Sequence, residues 1–199
     1  LNSNMDYMTL MKSMQKPKKS RETVRVTIPE GLPAAKIAKI LEENGVCDAS
    51  DFLSALENTD FRFSYESEIP DDSRIYRRLE GYLFPHTYEF YKNDTALNVI
   101  TRMLGNFENK ITPEILSGIK RSGMTFHEVI TLASIIQGEA PDEENMYKVS
   151  AVYQNRLNNP GEYPLLQADP TQKYANEQIL ADLGDEGKLK AAAYDTYQG

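Results

Sequence analysis

Hydrophobic and polar positions along this 199-residue chain change period several times, and each change predicts an element. Val24-Arg-Val-Thr-Ile28 alternates with the period of two expected of a half-buried strand, and Pro29-Glu-Gly31 closes it. From Pro33 to Asn44 the apolar residues Ile37, Ile40 and Leu41 recur at helical spacing, with Gly45 as the C-terminal cap. A second helix begins at Ser50 and turns Phe52, Leu53 and Leu56 inward. A strand and two short helices need a further strand to cover their apolar side, and Thr87-Tyr-Glu-Phe-Tyr91 supplies it. The prediction is a βααβ module over residues 22–92 with an inserted loop at 60–80. Helical periodicity returns at Leu97–Phe107, and Thr112-Pro113 opens a short helix through Ile119 as cap and first-turn proline. Thr125-Phe-His-Glu128 is a capping box at the head of a helix carrying Val129, Leu132, Ile135 and Ile136, stopped by Gly138 and Pro141. Pro141-Asp142 launches another helix to about Leu157, with Met146, Val149, Val152, Tyr153 and Leu157 as its expected buried seam. Asn158-Asn-Pro-Gly161 is a turn, and Asp169-Pro170-Thr171 reads as a helix start with Asp169 as cap. The fold class is α+β, a small mixed module followed by a mainly helical region over 93–199.

Composition narrows the function. A net charge of −8 leaves nothing to offset phosphate repulsion, which argues against a nucleic-acid partner. The exception is one basic run, Lys16-Pro-Lys-Lys-Ser-Arg21, in a segment over 1–21 read as a possible short helix (Met5 to Met14) and a solvated linker. The single Cys47 excludes an internal disulfide framework, and the two histidines lack companions at ligand spacing, so no metal or other cofactor is expected. His127 reads as an exposed residue of a helix's first turn, and His86 as a loop or strand-edge group. No window is long and apolar enough to span a bilayer, and there is no signal peptide; a chain starting with Leu reads as a fragment of a longer protein. Twelve Tyr without Trp is compatible with a sugar-like ligand.

The chemistry-bearing candidate is Glu139. It follows Leu132 by two helical turns and Ile135 by four residues, which places it on the apolar face at the negative end of a helix dipole. Poor hydration there would disfavour the carboxylate and raise its pKa, as a general acid near neutral pH requires. Periodicity alone equally allows a solvated last-turn glutamate. Glu80, in Arg77-Arg-Leu-Glu-Gly81, reads on its own as an ion-pair partner of Arg77 or Arg78.

Several stretches, in order, carry a resemblance. They are Val26-Thr-Ile-Pro-Glu-Gly31, Leu79-Glu-Gly-Tyr-Leu-Phe-Pro85 with Thr87-Tyr-Glu-Phe90, Leu132-Ala-Ser-Ile-Ile136 with Glu139, Val149 to Leu157, Leu166-Gln-Ala-Asp-Pro-Thr171 with Tyr174, and Tyr194-Asp-Thr-Tyr197. Together they resemble the YceG-like, membrane-anchored endolytic murein transglycosylases of bacteria. The resemblance implies a LysM-like βααβ module at 22–92 and a lysozyme-like transglycosylase domain at 93–199 that is incomplete at its C-terminus. It implies cleavage of peptidoglycan glycan strands between N-acetylmuramic acid and N-acetylglucosamine, leaving a 1,6-anhydro end. Glu139 matches the catalytic acid. Gln167, Asp169, Tyr194, Thr196, Asn155 and Glu80 match positions that would bind substrate or line the groove. Asn155 could instead cap its own helix, Arg156 could be a buried ion-pair partner, and Glu80 a scaffold salt bridge. The resemblance places the enzyme at the cell membrane, facing the wall through an anchor absent from this chain, with cell-wall synthesis enzymes as possible partners. Gln137-Gly138 departs from a charged pair common in that family, as do His86 and Asp195 from Asp and Asn. The competing classes are a non-catalytic wall-binding or scaffold protein and a hydrolytic muramidase using the same acid.

Overall fold

The computed structural model describes residues 21–140 and 142–198; the expected helix at Met5–Met14, the run up to Ser20 and Pro141 lie outside the described residues. Strands β1 (Thr23–Thr27) and β2 (Thr87–Tyr91) pair antiparallel, with Val24 opposite Phe90 and Val26 opposite Tyr88. Those four residues face one way, and Val26, Tyr88 and Phe90 are buried in one core with Ile37 and Leu41 of helix α1 (Ala34–Glu43) and Phe52 and Leu56 of helix α2 (Ala49–Asn58). Gly45 leaves α1 in the left-handed region (φ 69°), and the Asp48 carboxylate accepts the Ser50 and Asp51 N–H groups to cap α2. The strand–helix–helix–strand order of the sequence pattern is therefore present.

The inserted stretch packs tightly. A 3-10 turn at Ser64–Glu68 buries Tyr65, whose ring stacks on Tyr82 at 5.3 Å and meets Phe107 edge-on at 5.0 Å. Glu66 is buried, receives the Phe63 N–H at 2.9 Å and pairs with Arg78 at 2.5 Å. Arg77 is also buried and pairs with Glu57 and Asp182. Both arginines are thus committed to partners other than Glu80.

Helix α3 (Ala96–Lys110) contributes Val99, Ile100, Met103 and Leu104 to the same core as the sheet, and Phe126 joins it. Helix α4 (Pro113–Ser122) has Thr112 as cap and ends at Gly123 with φ 75°. Helix α5 (Phe126–Glu139) carries the expected capping box: Glu128 N–H donates to Thr125 Oγ1 at 3.2 Å and Thr125 N–H to Glu128 at 2.7 Å. Its second residue is half-buried: His127 Nδ1 lies 2.9 Å from the Tyr82 hydroxyl, and burial lowers its pKa. The exposed position expected for His127 is corrected by this aromatic neighbour.

Helix α6 (Glu143–Asn158) and α5 meet around a second, smaller cluster of Leu132, Ile135, Tyr153 and Ala168. The seam expected along α6 is largely absent. Only Tyr153 is buried (4 % exposed), while Val152 and Leu157 are each 50 % exposed. Among the described residues α6 packs against α5 on one side only, so a seam drawn from periodicity is wider than the surface available to cover it. After an extended stretch, α7 (Asp169–Tyr174) runs into a π-helical segment at Ala175–Leu180, then α8 (Ala181–Leu183), a 3-10 turn at Gly184–Gly187 and α9 (Lys188–Ala192). This closing arm returns to the inserted loop. No helix of the described residues is long and apolar enough to cross a membrane.

Candidate functional site

Glu139 is the last residue of α5, and two donors converge on one of its oxygens. The Tyr153 hydroxyl donates to Oε1 at 2.9 Å, and the Asp169 N–H donates to the same atom at 3.2 Å. Among the described residues Oε2 has no partner. The carboxyl is thus held by one oxygen and presents the other. The side chain is exposed, which corrects the poorly hydrated setting expected for it. Glu139 is the terminal residue of α5, and Gln137 and Gly138 before it are exposed as well, so only Ile136 of the last turn reaches the Leu132–Ile135–Tyr153 cluster.

Gly138 explains how the Asp169 amide comes this close. A Cβ at Gly138 would lie 2.7 Å from Pro170 Cβ and 2.9 Å from Pro170 Cγ, closer than side-chain carbons approach. Gly138 therefore does not end α5, as its glycine character suggests. It sits inside the helix and admits the ring of Pro170, which docks the start of α7 on the last turn of α5. The Asp169 carboxylate is not a helix cap either: Ala168 holds that position, and Asp169 accepts the Tyr197 hydroxyl at 2.5 Å.

The segment that precedes α7 is clasped by the chain's last described residues. Gln167 adopts φ 54°, an uncommon value for a residue with a side chain, and its N–H donates to the Thr196 carbonyl at 2.9 Å. Thr196 Oγ1 accepts the Ala168 N–H at 2.8 Å and lies 3.1 Å from Thr171 Oγ1. The Arg156 guanidinium donates to the Leu166 carbonyl, which gives that residue a main-chain partner in place of the ion pair considered for it. Thr196 thus spends its hydroxyl on holding the 166–171 backbone, whereas the Gln167 side chain is exposed beside Glu139's neighbour Asp169.

A second group ties this arm to the inserted loop. Glu80 takes the Ala34 N–H at 2.7 Å on one oxygen and the Tyr174 hydroxyl at 2.7 Å on the other. Its expected salt bridge to Arg77 or Arg78 is replaced by these two neutral donors. Burial raises the Glu80 pKa, opposed by the hydrogen bonds from Tyr174 and Ala34 and by the Arg77 charge. Tyr174 stacks on Tyr194 at 5.6 Å, and the Tyr194 hydroxyl accepts the Tyr76 N–H at 3.0 Å. Tyr194 and Glu80 therefore meet at Tyr174, one helix length from Glu139, and not at Glu139 itself.

Asn155 joins neither group. Two residues past Tyr153 on α6 it points to the opposite side of the helix, exposed, and its carbonyl is capped by the Asn159 carboxamide at 2.8 Å. The capping role considered for Asn155 belongs to Asn159. Two residues with direct contacts escaped the sequence reading. Tyr153 falls on the predicted core seam, and nothing local links it to a glutamate fourteen positions earlier on another helix. Tyr197 stood within a quoted motif but was given no role. Burial and the adjoining Glu139 raise the Tyr153 pKa, and the Asp169 hydrogen bond raises that of Tyr197, so both phenols remain donors at neutral pH. A carboxyl with one anchored and one free oxygen, flanked by protonated phenols, is equipped to exchange a proton with a bound molecule.

A family model described as the YceG-like family matches residues 1–199. The chain is 30% identical over 158 residues to an endolytic murein transglycosylase of Bacillus subtilis (strain 168), covering 76% of this chain and 43% of the relative. It is 30% identical over 175 residues to one of Streptococcus pneumoniae serotype 2, covering 79% of this chain and 32% of the relative. It therefore spans under half the length of these relatives. A crystallised yceG-like protein of Listeria monocytogenes superposes with a TM-score of 0.71 at 24% identity, over 100% of this chain and 67% of that one, a likeness of fold.

Proposed function

Because this chain belongs to the YceG-like family, we propose that it is part of an endolytic murein transglycosylase that cuts peptidoglycan glycan strands between N-acetylmuramic acid and N-acetylglucosamine. In this reading residues 22–92 form a LysM-like module, residues 93–199 form part of a lysozyme-like catalytic domain, and an anchor outside this chain holds the protein at the membrane facing the wall. The observation that carries it is the one-sided holding of Glu139, with Oε1 bound by Tyr153 and Asp169 and Oε2 free.

Glu139 would give the proton on Oε2 to the glycosidic oxygen as the bond to the anomeric carbon breaks. The carboxylate left behind is stabilised through Oε1 by the Tyr153 hydroxyl and the Asp169 amide. It then takes the proton of the muramoyl 6-hydroxyl as that oxygen closes on the anomeric carbon. One group thus serves as acid and base, and no water is consumed, so a second carboxylate for activating water is not needed. The exposed Gln167 side chain and the Asp169 carboxylate beside it would meet the sugar, while Thr196, Tyr194 and Glu80 would hold the arm that carries them. Asn155, on the far side of α6, would contact substrate only at a distance from the cut.

The exposure of Glu139 favours one competitor, a non-catalytic wall-binding or scaffold protein docked on the synthesis enzymes. Digestion of purified murein by the full-length protein and its Glu139→Gln variant, read by mass spectrometry, separates the readings. The expected products lack one water relative to hydrolysis and vanish in the variant. Products that retain the water assign a hydrolytic muramidase, and release that survives Glu139→Gln refutes the assignment of the acid.

A further inference from the structure

A cavity of about 750 Å3 lies between β2 and α3, lined among others by Arg25, Thr87, Glu89, Arg102 and Asn109, none of them a residue of the Glu139 site. One wall is the edge of the sheet. Among the described residues the sheet has two strands, so β2 has one edge covered by β1 and one that no described strand pairs. The register decides which residues face the opening. Ile28 N–H donates to His86 O at 3.0 Å and Lys92 N–H to Glu22 O at 2.8 Å. In an antiparallel ladder the residues bonded to the neighbouring strand alternate, so on β2 they are Tyr88 and Phe90, continued by His86 and Lys92 on either side. Thr87, Glu89 and Tyr91 turn their N–H and C=O groups toward the open edge. The Arg102 guanidinium donates to the Glu89 carbonyl, which agrees with that direction. Among the described residues the Thr87 and Glu89 N–H groups and the Thr87 carbonyl have no partner.

Main-chain donors and acceptors repeating every second residue are the template on which an extended peptide adds as a new strand. An N-acetylated glycan repeats its acetamide groups only as substituents on its rings, whereas a peptide carries donor and acceptor in the backbone itself, as a sheet edge requires. The side chains select the sign of charge. Arg25 has no ion-pair partner among the described residues, and Arg102 holds the Glu89 carbonyl from one nitrogen with further N–H groups to spare. The one acid in the cavity wall, Glu89, already accepts the Thr23 hydroxyl at 2.8 Å. Across the groove, Asn109 on α3 offers an amide that no described residue engages. In a protein of net charge −8 this is a locally cationic groove. We propose that the open edge of β2, facing α3, binds an extended acidic peptide segment as a third strand, with Arg25 and Arg102 taking its carboxylates. This site does not depend on the Glu139 chemistry.

The test is an amide-resolved NMR titration of this chain with three probes: acetyl-Thr-Asp-Val-Asp-Thr-amide, its Lys-for-Asp counterpart, and tetra-N-acetylchitotetraose. The acidic peptide is expected to shift the Thr87 and Glu89 amides and slow their hydrogen exchange, with the basic peptide at least tenfold weaker. Arg25→Gln, which removes the charge without setting a second carboxylate opposite Glu89, should weaken the acidic peptide at least threefold. Glu89→Pro removes an edge N–H that the ladder does not use and should abolish binding. Absence of a response to the acidic peptide, a response at these amides to the saccharide alone, or equal binding of both peptides overturns the proposal. So does concentration-dependent dimerisation that protects the same amides without peptide, which would assign the edge to a second copy.

Discussion

Replacing Gly138 with alanine sets two large effects against each other, and the structure states which should win. In an exposed helix interior the change stabilises by about 1 kcal/mol, because alanine loses less backbone entropy. At Gly138, however, the new methyl would sit 2.7 and 2.9 Å from two carbons of Pro170. Ordinary carbon contact begins near 3.5 Å, so the ring must withdraw by roughly 0.8 Å. Overpacking of that kind costs about 1–3 kcal/mol. The expected outcome is a net loss of about 1 kcal/mol. The withdrawal also draws the Asp169 amide away from Glu139, now 3.2 Å distant, so the murein cleavage proposed for the full-length protein should fall with it. Gly118, in α4, is the control: its added methyl would find nothing nearer than the mobile end of Arg121 at 3.8 Å. Gly118→Ala should therefore stabilise by about 0.5–1 kcal/mol. Denaturant midpoints of both variants, with the slope checked for constancy, read the difference. If Gly138→Ala stabilises as much as Gly118→Ala, the close docking of α7 on α5 is refuted.

The remaining expectations concern the groups around that docking. Tyr153→Phe removes one of two donors on Glu139 Oε1; if a hydrogen bond to a charged group worth about 1.5–3 kcal/mol is lost, the glycan cleavage proposed for the full-length protein should slow about 10- to 150-fold, and an unchanged rate counts against Glu139 as the reacting group. Glu80→Ala strands the Ala34 N–H and the Tyr174 hydroxyl and should destabilise by about 2–4 kcal/mol, whereas Glu80→Gln keeps a polar partner for both and should stay within about 1 kcal/mol. Because the Glu80 pKa is raised on folding, its protonated form stabilises the fold in acid, and that contribution is lost as pH rises through the folded value; the Gln variant should flatten this part of the stability-against-pH curve. The His127 pKa is lowered by burial, so stability present above about pH 6.5 should decline as pH falls through its folded value, and an NMR titration placing that value at or above the free one would contradict its packing on Tyr82.

Local signals were enough for the elements. The Thr125–Glu128 box, the Thr112-Pro113 cap and the alternation of Val24–Ile28 act over a few residues, and the structure has helices and a strand there. The family motifs likewise singled out Glu139. What periodicity could not supply is how much of each apolar stripe finds a partner: Val152 and Leu157 repeat correctly and are half exposed, because burial depends on a second surface far away in the chain.

Capping, turn chemistry and periodicity belong to neighbouring residues, and they sufficed for the mixed class of the fold, for the order of elements as far as the start of α7 and for the glutamate closing one helix; the π-helical segment and short turns after Tyr174 carry no such local signal. That Gly138 makes room for Pro170, that Tyr153 and the Asp169 amide share one oxygen of Glu139, and that Glu80 answers to Tyr174 instead of an arginine came from long-range docking. Each of those joins residues from 14 to 94 positions apart, and their meeting is set by how helices dock, a quantity no short window of sequence contains.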